Sequence, residues 1–139
     1  MATKKNVTRK AQKKTARATK PKLRHTPWAS VELEDLNPLL QRQFVVGGKV
    51  MLARVLLKTG CVVPLHQHHN EQISYMIKGA LRFWIDGREI VVSAGEVLII
   101  PPHMPHKAEA LVDSVSLDIF HPPRQDWIEK TDGYLRLKK

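Results

Sequence analysis

From Phe44 onward the chain consists of short runs rich in Val, Ile and Leu, punctuated by Gly, Pro and Asp at strand spacing. The pattern predicts strands at Val50 to Lys58, Val62 to His66, Gln72 to Ile77, Ala80 to Ile85, Arg88 to Val92, Val97 to Ile100, His106 to Ala110 and Ser114 to Phe120. Lys78-Gly79, Asp86-Gly87 and Ala94-Gly95 each place a glycine where a tight turn needs positive φ, so successive runs are expected to pair as hairpins. No long helical period separates them, which excludes a parallel α/β fold and indicates an all-β sandwich or barrel. Leu33 to Leu40 reads as a short helical turn or extended arm ahead of the first strand. Pro122 to Lys139 is polar, with Trp127, Ile128, Tyr134 and Leu135 scattered through it, and is expected to wrap the barrel or a partner subunit.

Charge changes the picture only at one end. Of the 23 Lys and Arg among 139 residues, ten lie between Met1 and Arg24, where there is no acid; from His25 onward thirteen basic residues face thirteen acidic ones. The net charge of +10 therefore belongs to a tail with too little apolar content to pack, read as a disordered solubilising segment. A transit peptide, or weak non-specific contact with a polyanion, are the other readings, and the absence of any aromatic before Trp28 removes base stacking from the latter. The domain plan is a tail at 1–24, an arm at 25–43, a barrel at 44–121 and an extension at 122–139. Cys61 is the only cysteine, which excludes an intrachain disulfide and suits a reducing, cytoplasmic compartment. No apolar run reaches the roughly eighteen residues of a membrane-crossing helix, so no membrane partner is expected.

The chemistry concentrates in Gly60 to Gln72. In a strand, residues two apart share a face, so His66 and His68 are expected to aim at one point while Gln67 and His69 turn away. Continuing that parity brings Gln72 to the same side and Glu71 to the other, unless a bulge shifts the register. A third imidazole must come from a distant strand, and Pro101 to His106 offers His103 and His106. His69 and His121 read as non-ligands, and His25 as unrelated. A metal-free barrel with packed histidines is the plain alternative.

These two segments resemble the paired motifs of the cupin superfamily. The first motif, Gly, five residues, His-x-His, three or four residues, Glu, six residues, Gly, is met by Gly60, His66, His68, Gln72 and Gly79, with Gln in place of Glu. The second, Gly, five residues, Pro-x-Gly, two residues, His, three residues, Asn, is met by Gly95, Pro101 and His106, with His103 in place of the second Gly and Ala110 in place of Asn. The resemblance covers roughly Val50 to Phe120. It implies a double-stranded β-helix, a jelly-roll-like barrel, holding one divalent metal through His66, His68, Gln72 and His106. Three imidazoles and a neutral amide leave the metal charge uncompensated, so the site should attract an anionic or enolic oxygen; Zn, Fe, Mn and Ni all accept such a set.

Along the last predicted strand Ser114, Ser116, Asp118 and Phe120 share one face, and Val115, Leu117 and Ile119 the other. The apolar row is expected to pack between the sheets and the first set to line the lumen. A carboxylate there is costly unless it meets solvent, metal-bound water or substrate, which makes Asp118 a candidate functional residue; an acid paired with a neighbouring Lys or Arg is the plain alternative. Leu117 to Asp126 further resembles the C-terminal motif of small pectin-degradation cupins, which linearise 4,5-unsaturated monouronates. That resemblance implies Asp118, Phe120 and Arg124 as substrate-processing residues, with Asp118 transferring a proton, Phe120 packing on the sugar face and Arg124 clamping the carboxylate of a small anionic substrate; a surface Arg is the alternative for Arg124. Competing readings are a metal cupin of other chemistry, such as a dioxygenase, and a non-catalytic small-ligand sensor. A homodimer is expected from exposed sheet edges and from the segment around Phe44 adding to a neighbour's sheet.

Overall fold

The computed structural model describes residues 22–136. All of the expected tail but Lys22, Lys22's neighbour Leu23 and Arg24 lies outside the described residues, and with it the expected disorder and polyanion contact; these three are exposed and without regular structure. The strands are β1 (Glu34–Asn37), β2 (Leu40–Val46), β3 (Met51–Leu57), β4 (Val62–His66), β5 (Glu71–Lys78), β6 (Ala80–Ile85), β7 (Arg88–Ser93), β8 (Val97–Ile100), β9 (His106–Ala110) and β10 (Ser114–His121), followed by a short helix α1 (Gln125–Ile128). They form two antiparallel sheets, one ordered β1-β2-β3-β10-β5-β8 and the other β4-β9-β6-β7. The inward residues of both sheets, among them Met51, Met76, Leu81, Phe83 and Ile100, make the core.

All eight predicted strands are present, because buried and more exposed side chains alternate along them and most of the buried ones are apolar or small. The turns behave as their chemistry requires. Asp86 and Gly87 both have positive φ, the signature of the hairpin turn whose twist matches its strands. At Gly79 φ is +86°, and a Cβ there would collide with Ser114 and the Asp113 backbone, so only glycine lets β5 turn into β6.

Two expectations change. Of the two readings for Leu33 to Leu40 the extended one is met, but the segment around Phe44 lies inside its own sheet instead of at an edge: β1 pairs with β2, and β2 pairs along its length with β3. Its pattern hides the strand because the inward position on β2 is a charge. Arg42 is fully buried; its Nε donates to Glu34 (2.7 Å), its Nη1 to Asp132 (2.6 Å), and its guanidinium lies 4.2 Å over the Trp127 ring. This pairing joins the first two strands to the C-terminal extension, which folds onto its own barrel through Trp127 and Leu135.

The second change concerns β10. Ser114, Ser116, Asp118 and Phe120 do face inward and are buried, but Val115, Leu117 and Ile119 do not pack between the sheets; they lie on the outer surface, partly or largely exposed. In a two-sheet sandwich each strand offers the core one face only, and here the polar set takes it.

Candidate metal centre

His66 ends β4 and His106 begins β9, and the two are direct cross-strand partners. Their rings lie 4.2 Å apart between centroids. His68 follows in the loop leaving β4 and brings its ring within 5.5 Å of His66 and 5.2 Å of His106. The ligand atoms of the three all fall within 4.8 Å of one another.

Each ring is oriented by its own backbone. Nδ1 of His66 donates to the Pro64 carbonyl (2.8 Å), that of His106 to Met104 (2.8 Å) and that of His68 to Asn70 (3.0 Å). A carbonyl can only accept, so Nδ1 carries the proton in all three and Nε2 presents a lone pair. Burial, with neighbouring His106 and then His68 adding to it, takes the His66 imidazole down to about 4; burial and the nearby Arg124 do the same for His68, and burial lowers His106. The rings are therefore neutral near pH 7, the form a metal requires.

Gln72 reaches the three histidines from the other sheet. Its Oε1 lies 3.1 Å from Nε2 of His68, while its amide nitrogen donates to Ser74 Oγ (2.9 Å). Two acceptors thus face each other with no proton between them. Such a pair is unfavourable by itself and is relieved by a cation that accepts both lone pairs, so these residues fit a divalent metal bound by three imidazoles and an amide oxygen. Gln72 reaches this position although β4 and β5 belong to different sheets. The parity expectation puts Gln72 on the inner side and Glu71 on the outer, as found, but the strand face of His66 does not continue through the loop at 67–70; β5 alternates anew.

A chain of hydrogen bonds runs on from Gln72. Ser74 Oγ donates to Asp118 Oδ1 (2.7 Å), and Ser116 Oγ donates to the same oxygen (2.8 Å). Burial pushes the Asp118 carboxyl above its ordinary range, although both hydroxyls and Arg124 pull the other way. Oδ2 has no hydrogen-bond partner among the described residues and is the oxygen left to carry a proton.

Arg124 is buried and lines the same cavity. Its Nε and Nη2 grip Asp126 at 3.0 and 2.9 Å, Nη2 also donates to the Tyr134 hydroxyl (2.7 Å), and its plane lies 5.2 Å from the Phe120 ring. Burial raises the Asp126 carboxyl but the Arg124 pair outweighs it, leaving Asp126 below its usual range. The forked edge of Arg124 is thus occupied, and among the described residues Nη1 is the donor left without a hydrogen-bond partner. Phe120 stands edge-on to His68 and Trp127. His66, His106, Gln72, Asp118, Arg124 and Tyr134 all line one cavity.

Two residues escaped the sequence reading. Tyr134 stacks 4.8 Å from His66, and the Asn70 side chain donates to the Pro122 carbonyl (2.6 Å), tying the ligand loop to the turn that delivers Arg124. Neither carries a motif signal; both act through contacts distant in sequence. His103 stands apart from the cluster, exposed, with φ at +67°, the left-handed conformation that explains why the motif places glycine there. His25, His69, Glu71 and His121 are likewise exposed and outside it.

Comparison with known proteins agrees with this architecture. The family model described as Cupin domain matches residues 53–120. An uncharacterized protein of Methanocaldococcus jannaschii, MJ1618, is 30% identical over 101 residues, 70% of this chain and 80% of that one. H2HPP isomerase of Bacillus subtilis is 34% identical over 94 residues, 65% of this chain but 39% of that protein. The pectin degradation protein KdgF of Dickeya dadantii is 26% identical over 106 residues, 74% of this chain and 92% of the other. Among solved structures, KdgF from a Halomonas species superposes with a TM-score of 0.71 at 29% identity, covering 76% of this chain and 99% of its own. Two sheets enclosing a histidine cluster, motifs in the right order and these similarities have one reading: the chain belongs to the cupin superfamily, close to its pectin-degradation members.

Proposed function

We propose that the protein is a metal-dependent enzyme that linearises 4,5-unsaturated monouronates. The observation that carries this is the hydrogen-bonded line from Gln72 through Ser74 to Asp118, which links the amide facing His68 to a buried carboxyl in a cavity that Arg124 also lines.

A 4,5-unsaturated uronate is an anionic cyclic enol ether. Opening it requires a proton at carbon 4, water at carbon 5, and cleavage of the ring C5–O bond to give a ketone, the ring oxygen taking the hydroxyl proton. A divalent metal held by His66, His68, His106 and Gln72 supplies Lewis acidity toward a substrate or water oxygen. Asp118 donates its Oδ2 proton to carbon 4 and recovers one from the entering water. Its raised proton affinity suits an acid, and the two serine hydroxyls fix which oxygen carries the proton. Arg124 offers Nη1 to the substrate carboxylate, a single charged donor rather than the two-pronged clamp the resemblance implies, because Asp126 occupies the fork. Phe120 walls the lumen between His68 and Arg124 and limits water there. NMR of 4,5-unsaturated galacturonate incubated with metal-loaded protein in D2O tests the reading: a C5 ketone with deuterium at carbon 4 supports it, and conversion no faster than the spontaneous rate overturns it.

The similarity to H2HPP isomerase favours a second reading, an isomerase moving a proton on a different substrate with the same Asp118 and metal set. Turnover of that enzyme's substrate, with the uronate untouched, would select it.

A further inference from the structure

A guanidinium has two edges on which a carboxylate can be held by parallel N–H donors, and in Arg124 the protein itself engages both. Asp126 takes Nε (3.0 Å) and one proton of Nη2 (2.9 Å), which fills the first edge. The other Nη2 proton goes to the Tyr134 hydroxyl oxygen (2.7 Å), so that oxygen stands on the second edge, beside Nη1. The hydroxyl accepts from Arg124 and keeps its own proton, and among the described residues no acceptor takes that proton. Tyr134 lines the same cavity as Arg124 and Asp118. Its place is fixed by its neighbours in a single 3-10 turn, Gly133–Leu135. Asp132 pairs with Arg42 on β2 (2.6 Å), the Leu135 carbonyl accepts from the Asn37 side chain on β1 (2.9 Å), and the tyrosine ring stacks 4.8 Å from His66.

We propose that Tyr134 is a second donor for the substrate carboxylate, its hydroxyl standing in for the Nη2 proton that it accepts. The acid is then held by Arg124 Nη1 on one oxygen and by the Tyr134 hydroxyl on the other. This rests on the reading that the substrate is a small carboxylate. It restores at the second edge the two-pronged contact that Asp126 denies at the first. The hydroxyl is neutral, so it adds direction without charge, and donation from the guanidinium to its oxygen polarises its proton outward. Specificity follows: a pair of donors converging on two equivalent oxygens favours an acid over its ester, which offers no second anionic oxygen.

NMR titration of the zinc-loaded full chain with galacturonate and with its methyl ester tests this. The protein has two tyrosines, Tyr75 and Tyr134, so tyrosine labelled with carbon-13 at Cζ gives two resonances, which Tyr75→Phe assigns. The Tyr134 resonance is expected to move with the acid and not with the ester, while that of Tyr75, on the outer face of β5, stays in place. Tyr134→Phe, whose ring still covers Nη2, is expected to bind galacturonate about 10–100-fold more weakly with the ester unaffected, the loss of one hydrogen bond to a charged group. For the unsaturated uronate the loss should fall on KM more than on kcat. A Tyr134 resonance unmoved at saturating acid overturns the proposal, as does equal affinity of wild type and Tyr134→Phe for galacturonate, or a wild type that binds acid and ester alike. Should Tyr134→Phe fail to fold, the resonance of the unaltered side chain decides. Galacturonate has no enol ether to open, so binding and turnover fail separately. The shift and the Tyr134 dependence without turnover of the unsaturated uronate would keep this proposal and remove the uronate reading, and turnover without them would do the reverse.

Discussion

Oε1 of Gln72 and Nε2 of His68 face each other at 3.1 Å, and neither atom has a proton to offer the other. That opposition is what makes the amide a candidate ligand under the proposed function. Gln72→Glu would add a negative charge where a cation belongs, so it is expected to tighten metal binding by about 10–100-fold, the range seen when the groups around a site are altered. It should also lower turnover, because a quenched metal attracts an anionic substrate less. Isothermal titration with Zn(II) and Mn(II) checks the first effect, and unchanged affinity in Gln72→Glu would remove Gln72 from the ligand set.

Asp118 is buried as a carboxyl that holds its proton to higher pH than usual. The sign follows: the folded state binds more protons than the unfolded one above the ordinary carboxyl value of 3.8, so the wild-type protein loses stability as pH rises through that window toward the raised folded value. Asp118→Asn keeps the shape and both serine contacts without that cost. Its melting temperature at pH 7 is expected to exceed wild type by a few degrees, with metal content retained and turnover down by about 10²–10⁴. A destabilised Asp118→Asn protein would mean that the carboxyl is better satisfied than its contacts suggest.

The histidines carry the opposite dependence. His66 and His68 are shifted down to about 4 from 6.5 by burial first. Between those values the unfolded chain binds the extra protons, so metal-free protein has the full contribution above pH 6.5 and loses it as pH falls toward 4. Urea midpoints of chelated protein across this range should decline on acidification. In His66→Gln the decline should be shallower.

Arg42 has two acids for partners, and its Nη2 is already buried without one. Asp132→Ala strips a second donor and leaves a buried cation half-paired, a loss of about 3–5 kcal/mol. Differential scanning calorimetry reads it. A shift within error would show that Glu34 alone satisfies the guanidinium.

Arg42 also shows what the sequence conceals. From Met51 to Phe120 the strands announce themselves, since their inward positions, Gln72, His106 and Asp118 apart, are apolar or small and several turns carry Gly. On β2 an inward arginine breaks the alternation, and its partner Asp132 lies 90 residues away, so neither strand nor pair is visible locally. The clustered histidines His66, His68 and His106 stand out by motif spacing, whereas Tyr134 and Asn70 enter the site by tertiary contact alone. The outward turn of Val115, Leu117 and Ile119 defeats a rule that sends apolar residues inward, because the inward face of β10 is reserved for Asp118 and its serines.

Metal-dependent opening of an enol ether with Asp118 as proton donor can be followed through the enol-ether absorbance of 4,5-unsaturated galacturonate, with metal-loaded, chelated and Asp118→Asn protein side by side. Rapid loss is expected with metal-loaded wild type and the spontaneous rate with the other two. Equal rates in all three, or full activity in Asp118→Asn, would contradict it.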